Sequence, residues 1–120
     1  MDEFSWFVGI FEGEGCFGSR RHKKTVKDTI YYTGGLFLTI KMTDEDTIAR
    51  CADFLGVKYK PVKSTHKQLY LVRKMGGKTG QLMDLCLRMK PYLSKRRQEQ
   101  LERHIDRAME WGNTKEKVSK

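Results

Sequence analysis

Glu12 and Glu14 are interleaved with glycines where an apolar run gives way to acid, in Phe7-Val8-Gly9-Ile10-Phe11-Glu12-Gly13-Glu14-Gly15. The spacing predicts a short helix over residues 5–13, bulked out by Trp6, Phe7, Ile10 and Phe11, that runs out in the Gly-Glu-Gly of 13–15. The C-terminal end of such a helix presents unpaired carbonyls and a partial negative charge, which attracts a cation. Without context the same stretch is more often a solvated turn than a metal site. Gly9 and Gly13 stand four residues apart and so share one helix face, where the missing side chains let another backbone approach.

The rest of the chain contrasts with this acidic start. Met1 to Gly15 carry Asp2, Glu3, Glu12 and Glu14 with no Lys or Arg, yet the 120 residues together hold 24 Lys and Arg against 15 Asp and Glu, a formal charge of +9. Net positive charge alone points to a polyanion, nucleic acid or an acidic membrane surface. An acidic spot embedded in a basic chain is what a metal-dependent nuclease needs, because carboxylates hold the cation while Lys and Arg hold the phosphates.

Other classes find little support. Cys16, Cys51 and Cys86 are odd in number and far apart, with no close pair of the zinc-binding kind, and read as reduced thiols of an intracellular protein. His22, His66 and His104 are too scattered for a histidine nucleophile or metal cluster. No uncharged run is long enough to span a bilayer, and no basic start leads into an apolar export signal. The expected setting is cytoplasm, nucleoid or an organelle matrix, with no membrane partner and no secretion.

The elements that must carry these residues follow from periodicity. Residues 16–24 and 31–42 predict a long hairpin joined by the charged loop 25–29, and residues 58–64 and 68–74 a second one, with Leu69 and Leu71 on one face and Gln68, Tyr70 and Lys74 on the other. Thr43 followed three residues later by Asp46 resembles a capping box, and Ile48, Cys51, Ala52 and Leu55 continue at helical spacing until Gly56. Leu82, Leu85, Cys86 and Met89 make another stripe, ending before Pro91. A last helix over residues 94–111 turns Leu101, Ile105, Ala108 and Met109 inward, and residues 112–120 are expected to form a flexible basic tail. The order αββαββαα predicts one α+β domain over residues 1–111, a four-stranded antiparallel sheet covered on one face by helices, with the other face basic. Trp6 and Trp111 fit core or interface packing, and Cys51 and Cys86 the core.

The run from Phe7 to Gly15, continued by Cys16-Phe17, resembles the signature of the LAGLIDADG homing endonucleases. The resemblance extends to Thr39-Ile40-Lys41-Met42-Thr43-Asp44-Glu45-Asp46, similar to the family's second strand entering a helix, and to Lys90-Pro91-Tyr92-Leu93-Ser94-Lys95-Arg96-Arg97-Gln98 near the carboxyl end. It implies that two signature helices pack as a dimer interface, here through Phe7, Gly9, Ile10 and Gly13. The metal ligands it implies are Glu14 and the carbonyl of Gly13, oxygen donors suited to Mg²⁺, with Mn²⁺ as a substitute. Lys95, or Arg96 if the register slips by one, matches the family's active-site lysine. Asp44 matches a polar position beside the active site, and is equally an acid favourably placed in the first turn of a helix. Lys95-Arg96-Arg97 has the alternative of an ordinary solvated charge run. The sequence departs from the family in using Glu at both acidic positions and in Val8, where a small Ala is usual.

The same resemblance implies DNA reading by the exposed sheet face in the major groove. Counting alternate residues from Glu14 selects Gly18, Arg20, His22 and Lys24, then Thr39 and Lys41, and from the second hairpin Lys60, Lys63, Gln68 and Tyr70. The implied activity is metal-dependent cleavage of double-stranded DNA by a homodimer, at a long near-palindromic site, from an intron-encoded gene. The alternative within the family is a non-cleaving member, an RNA-binding intron maturase or a DNA-binding regulator.

Overall fold

A computed structural model describes residues 2–76, 80–111 and 115–117. The elements run α1 (Glu3–Glu14), β1 (Gly15–Val26), β2 (Thr29–Met42), α2 (Glu45–Leu55), β3 (Tyr59–Lys63), β4 (Gln68–Met75), α3 (Gln81–Met89), a 3₁₀ turn (Lys90–Tyr92), α4 (Lys95–Trp111) and β5 (Lys115–Lys117). The architecture is the expected α+β domain, an antiparallel sheet in the order β1-β2-β4-β3 with the helices on one face. Among the described residues no helix is long and apolar enough to cross a membrane.

Local chemistry sets the helix ends. Asp2 caps α1 by accepting the Ser5 amide at 2.7 Å. The cap of α2 is Asp44 rather than Thr43: its carboxylate accepts the Thr47 amide at 3.4 Å and the Thr47 hydroxyl at 2.9 Å. A longer-reaching, charged acceptor one residue later displaces the expected capping box. Gly56 closes α2 at φ 70°, a left-handed position that glycine takes without steric cost.

Register then decides which residues meet. Gly15 pairs with Ile40 and Gly18 with Phe37, and across the next seam Thr39 pairs with Arg73 and Ile40 with Val72. One parity of every strand faces the helices: Phe17, Leu36, Leu38, Ile40 and Val72 are buried with Phe7, Phe11, Ile48, Met89 and Leu101. Each such side chain contributes about 1.5–3 kcal/mol through the area it removes from water. Helix α4 lies so close over β2 that a Cβ on Gly34 would sit 2.3 Å from the Ala108 carbonyl oxygen. Only glycine fits there.

Four expectations need correction. Phe7 is fully buried and stacks on Phe54 at 4.6 Å between ring centres, so it belongs to the core and not to an interface. Met109 is 43% exposed rather than inward. In β4 the inward set contains Val72, which puts Tyr70 and the Gln68 position on the helix side; Leu69, Leu71 and Arg73 take the open side. Residues 115–117 are a strand paired with Thr29–Tyr31 rather than part of a flexible tail, because the long hairpin leaves the edge of β2 open beyond the end of β4. The remainder of that tail, 112–114 and 118–120, lies outside the described residues.

Candidate metal and nucleic-acid site

The two acids of the signature part company at the end of α1. Glu12 accepts the Ser94 hydroxyl at 3.1 Å and also the Ser94 amide, at the very start of α4. Its carboxylate lies 3.7 Å from Arg97 Nε, an ion-pair distance too long for a hydrogen bond. A negative group at a helix N-terminus meets unpaired amides and the positive end of the helix dipole, so Glu12 pins α1 to α4. Arg97 continues the clasp, its Nη1 donating to Gln100 Oε1 at 3.0 Å. Glu14, two residues on, is exposed, and among the described residues no hydrogen bond or ion pair engages its carboxylate.

Glu14 therefore stands free at the C-terminal end of α1, and the Gly15 amide caps that end by donating to the Phe11 carbonyl. Gly13 is exposed beside it. The donors on hand are carboxylate and carbonyl oxygens, the set a hard divalent cation prefers. Among the described residues no group of three His, Cys, Asp or Glu side chains gathers round a common centre.

Other basic and polar groups lie at the same end of the sheet. Pairing of Gly15 with Ile40 brings the end of α1 level with Lys41, and Asp44 follows just past the end of β2. Lys95 and Arg96 open α4, both exposed, immediately after Ser94. Beside them a small cavity of about 170 Å³ is lined by Arg96, Arg97, Gln100 and Arg103, with no acid in its wall.

The open face of the sheet carries Arg20, His22, Lys24, Thr39, Lys41 and Lys60 among the expected readers, all on the parity opposite the core. β1 to β4 contain no Asp or Glu. Three expected readers sit elsewhere: Lys63 and Gln68 pair with each other on the helix-side parity, and Tyr70 packs edge-on against Tyr59. The Tyr59 hydroxyl in turn donates to Glu45, and that hydrogen bond raises its pKa. Gly18 has the expected parity but is covered: a Cβ there would lie 2.1 Å from the ring of Phe37, so Phe37 is what the surface presents.

Arg73 escaped the sequence reading and stands on the open face, its Nε donating to Thr39 Oγ1 at 3.3 Å. Correct parity in β4 would have found it, and the buried Val72 is the signal that sets that parity. Glu12 also had no role legible from sequence, because Ser94 lies 82 residues away.

On α1, Ser5, Gly9 and Gly13 form an exposed stripe, and Ile10 is half-buried beside it. A shallow cavity of about 390 Å³ runs along this side, lined by Asp2, Phe4, Ser5, Val8, Gly9 and Tyr92. Nothing lies within 4 Å of a Cβ built on Gly9 or Gly13.

No protein-family model matches the chain, and no curated protein sequence does. Solved structures do. The homing endonuclease I-CvuI, in complex with a DNA target in the presence of Mg, is similar at a TM-score of 0.61 and 20% identity, covering 93% of this chain and 69% of that one. The LAGLIDADG meganuclease I-AabMI, bound to uncleaved DNA, is similar at 0.52 and 24% identity, over 91% of this chain and 36% of that one. The LAGLIDADG homing endonuclease I-SmaMI, bound to cleaved DNA, is similar at 0.51 and 18% identity, over 78% of this chain and 30% of that one. The chain thus spans about two-thirds of the first and about a third of the other two. With the signature run forming α1 and the antiparallel sheet beside it, the chain has the fold of the LAGLIDADG homing endonucleases.

Proposed function

We propose that this protein is a sequence-specific, metal-dependent DNA endonuclease of the homing type, working as a homodimer. The observation that carries this reading is the unengaged Glu14 carboxylate at the end of α1, beside a sheet whose four main strands, β1 to β4, contain no acid. A protein that only bound nucleic acid gains nothing by holding a bare carboxylate against phosphates.

The basic open face holds the duplex, its cations replacing condensed counterions along the backbone. Glu14 and the Gly13 carbonyl hold Mg²⁺, or Mn²⁺ in its place. The bound cation would supply Lewis-acid stabilisation of the phosphate and a more acidic water for hydrolysis. Lys95 offsets charge that develops at the phosphorus, with Arg96 next in line, and the arginine-lined cavity behind them suits a neighbouring backbone phosphate. Asp44 is committed to Thr47 and acts by fixing the start of α2.

Two α1 helices meeting through Gly9 and Gly13, whose faces are open, would bring two Glu14 groups together. The target is then near-palindromic, with one site per strand.

The test is cleavage of plasmid DNA carrying the chain's own genomic locus. Wild-type protein with Mg²⁺ linearises it, and Glu14→Gln binds the DNA without cutting. Cutting that survives Glu14→Gln removes Glu14 as the metal ligand. Tight binding to DNA or to structured RNA with no cutting by wild type supports the non-cleaving regulator or maturase instead.

A further inference from the structure

We propose that Arg73 is a specificity-determining residue that reads a single guanine in each half-site, its guanidinium held ready by Thr39 and Phe37. This rests on the reading of the open sheet face as the DNA surface. Arg73 lies on β4, between β2 and β3 and away from both edges of the sheet. Its Nε donates to Thr39 Oγ1 at 3.3 Å, and its Cζ stands 5.3 Å from the centre of the Phe37 ring. Both partners belong to β2 and are fixed by register: Thr39 pairs directly with Arg73, and Phe37 with Met75. Phe37 itself packs over Gly18, where a Cβ would lie 2.1 Å from its ring.

The contacts leave a particular part of the guanidinium available. Arginine has five N–H donors, and Thr39 takes the one on Nε. Among the described residues no hydrogen bond or ion pair engages the two η nitrogens. That end of the group is the planar fork that matches O6 and N7 of guanine in the major groove. Because Thr39 and Phe37 already restrict the side chain, less rotamer freedom is lost when the fork binds. Both are uncharged, and β1 to β4 contain no acid, so the positive charge is not spent inside the protein.

The neighbours favour a base edge over a phosphate. Leu71 and Met75 flank Arg73 on the same parity of β4, and Met75 is 41% exposed. Apolar side chains in that position exclude water from a base contact and suit thymine methyl groups next to the guanine. The cations better placed for the backbone are those of the hairpin β1–β2, where Arg20 and Lys24 stand at the sheet edge.

The experiment is selection from double-stranded DNA carrying a randomised stretch, by full-length protein in buffer without magnesium, followed by affinity measurement on the selected sequence. Wild type and Arg73→Met are compared, Met matching the arginine stem without its fork; Arg73 is exposed, and a thermal melt checks that the variant folds. The expected result is a guanine preference, at one symmetry-related position, that disappears in Arg73→Met. Replacing that guanine by 7-deazaguanine should cost wild type about tenfold to a hundredfold in affinity and cost the variant nothing. Thr39→Val should weaken the same guanine preference, because it frees the Arg73 guanidinium. A variant that loses affinity equally for all sequences, with its base preferences unchanged and its salt dependence reduced, marks Arg73 as a phosphate contact and overturns the proposal. If wild type selects no sequence at all, the reading of the sheet as a DNA surface fails, and this proposal with it.

Discussion

Ser94 gives both its amide and its hydroxyl to the carboxylate of Glu12, joining the end of the signature helix to the start of the last helix across 82 residues of chain. The two acids of one short motif are therefore placed differently: Glu12 holds the scaffold, and Glu14 is exposed with no partner among the described residues.

Substitution separates the two roles. Glu12→Gln should cost about 1–2 kcal/mol in urea unfolding, the scale of a lost helix cap or charged hydrogen bond. Glu14→Gln should leave unfolding within about 0.5 kcal/mol of wild type, as exposed positions without partners do. Stabilities in the opposite order would reverse the assignment.

The glycine stripe of α1 makes a prediction about assembly. Gly9→Gln with Gly13→Gln has room in the single chain and replaces two weak helix formers, so the fold should survive. Gel filtration should then move from twice 14.1 kDa to the mass of one chain. A double variant that still elutes as a dimer would place the interface elsewhere.

Thiol chemistry should discriminate sharply among the three cysteines. Burial pushes the Cys51 thiol up to about 11 and the Cys86 thiol up to about 12, so neither forms thiolate at neutral pH. Cys16 is exposed on the open side of β1, two residues from Glu14. A maleimide at pH 7 should label Cys16 alone in the native protein, bound DNA should protect it, and the labelled protein should lose DNA affinity. Mass spectrometry after short exposure reads the labelling; equal modification of Cys51 or Cys86 contradicts the burial.

His104 predicts an acid-side loss of stability. Its Nδ1 lies 2.8 Å from Ser19 Oγ. Burial lowers its pKa below the ordinary histidine value, and the Arg107 and Arg103 charges lower it further. The unfolded chain thus binds a proton at higher pH than the folded chain does. The contribution is fully present above the ordinary value of about 6.5 and is lost as pH falls from there to the lowered folded value. His104→Asn should show a smaller drop in melting temperature between pH 7 and pH 5 than wild type, and an equal drop removes His104 as the cause.

Much of this molecule was legible in the chain itself. Hydrophobic periodicity and turn residues are local signals, so the order of helices and hairpins, the stop at Gly56 and the basic parity of β1 and β2 could all be counted off. The signature run likewise marked Glu14 and its glycines before any contact was known. The failures share one cause. In β4, Leu69, Leu71 and Val72 are all apolar, and composition does not say which parity is inward; packing of Val72 beneath α2 decides it, sending Tyr70 inward and Arg73 out. Phe7 and Gly9 lie on one short helix, and only the seating of Phe54 shows which faces the core. Glu12 and Ser94 meet because the fold closes a long loop, and a contact of that separation has no local periodicity to betray it. Sequence alone determined the order of the main helices and hairpins and marked the acids at the end of α1. The tertiary structure decided which neighbours each side chain acquired, because parity and long-range pairing are settled by packing.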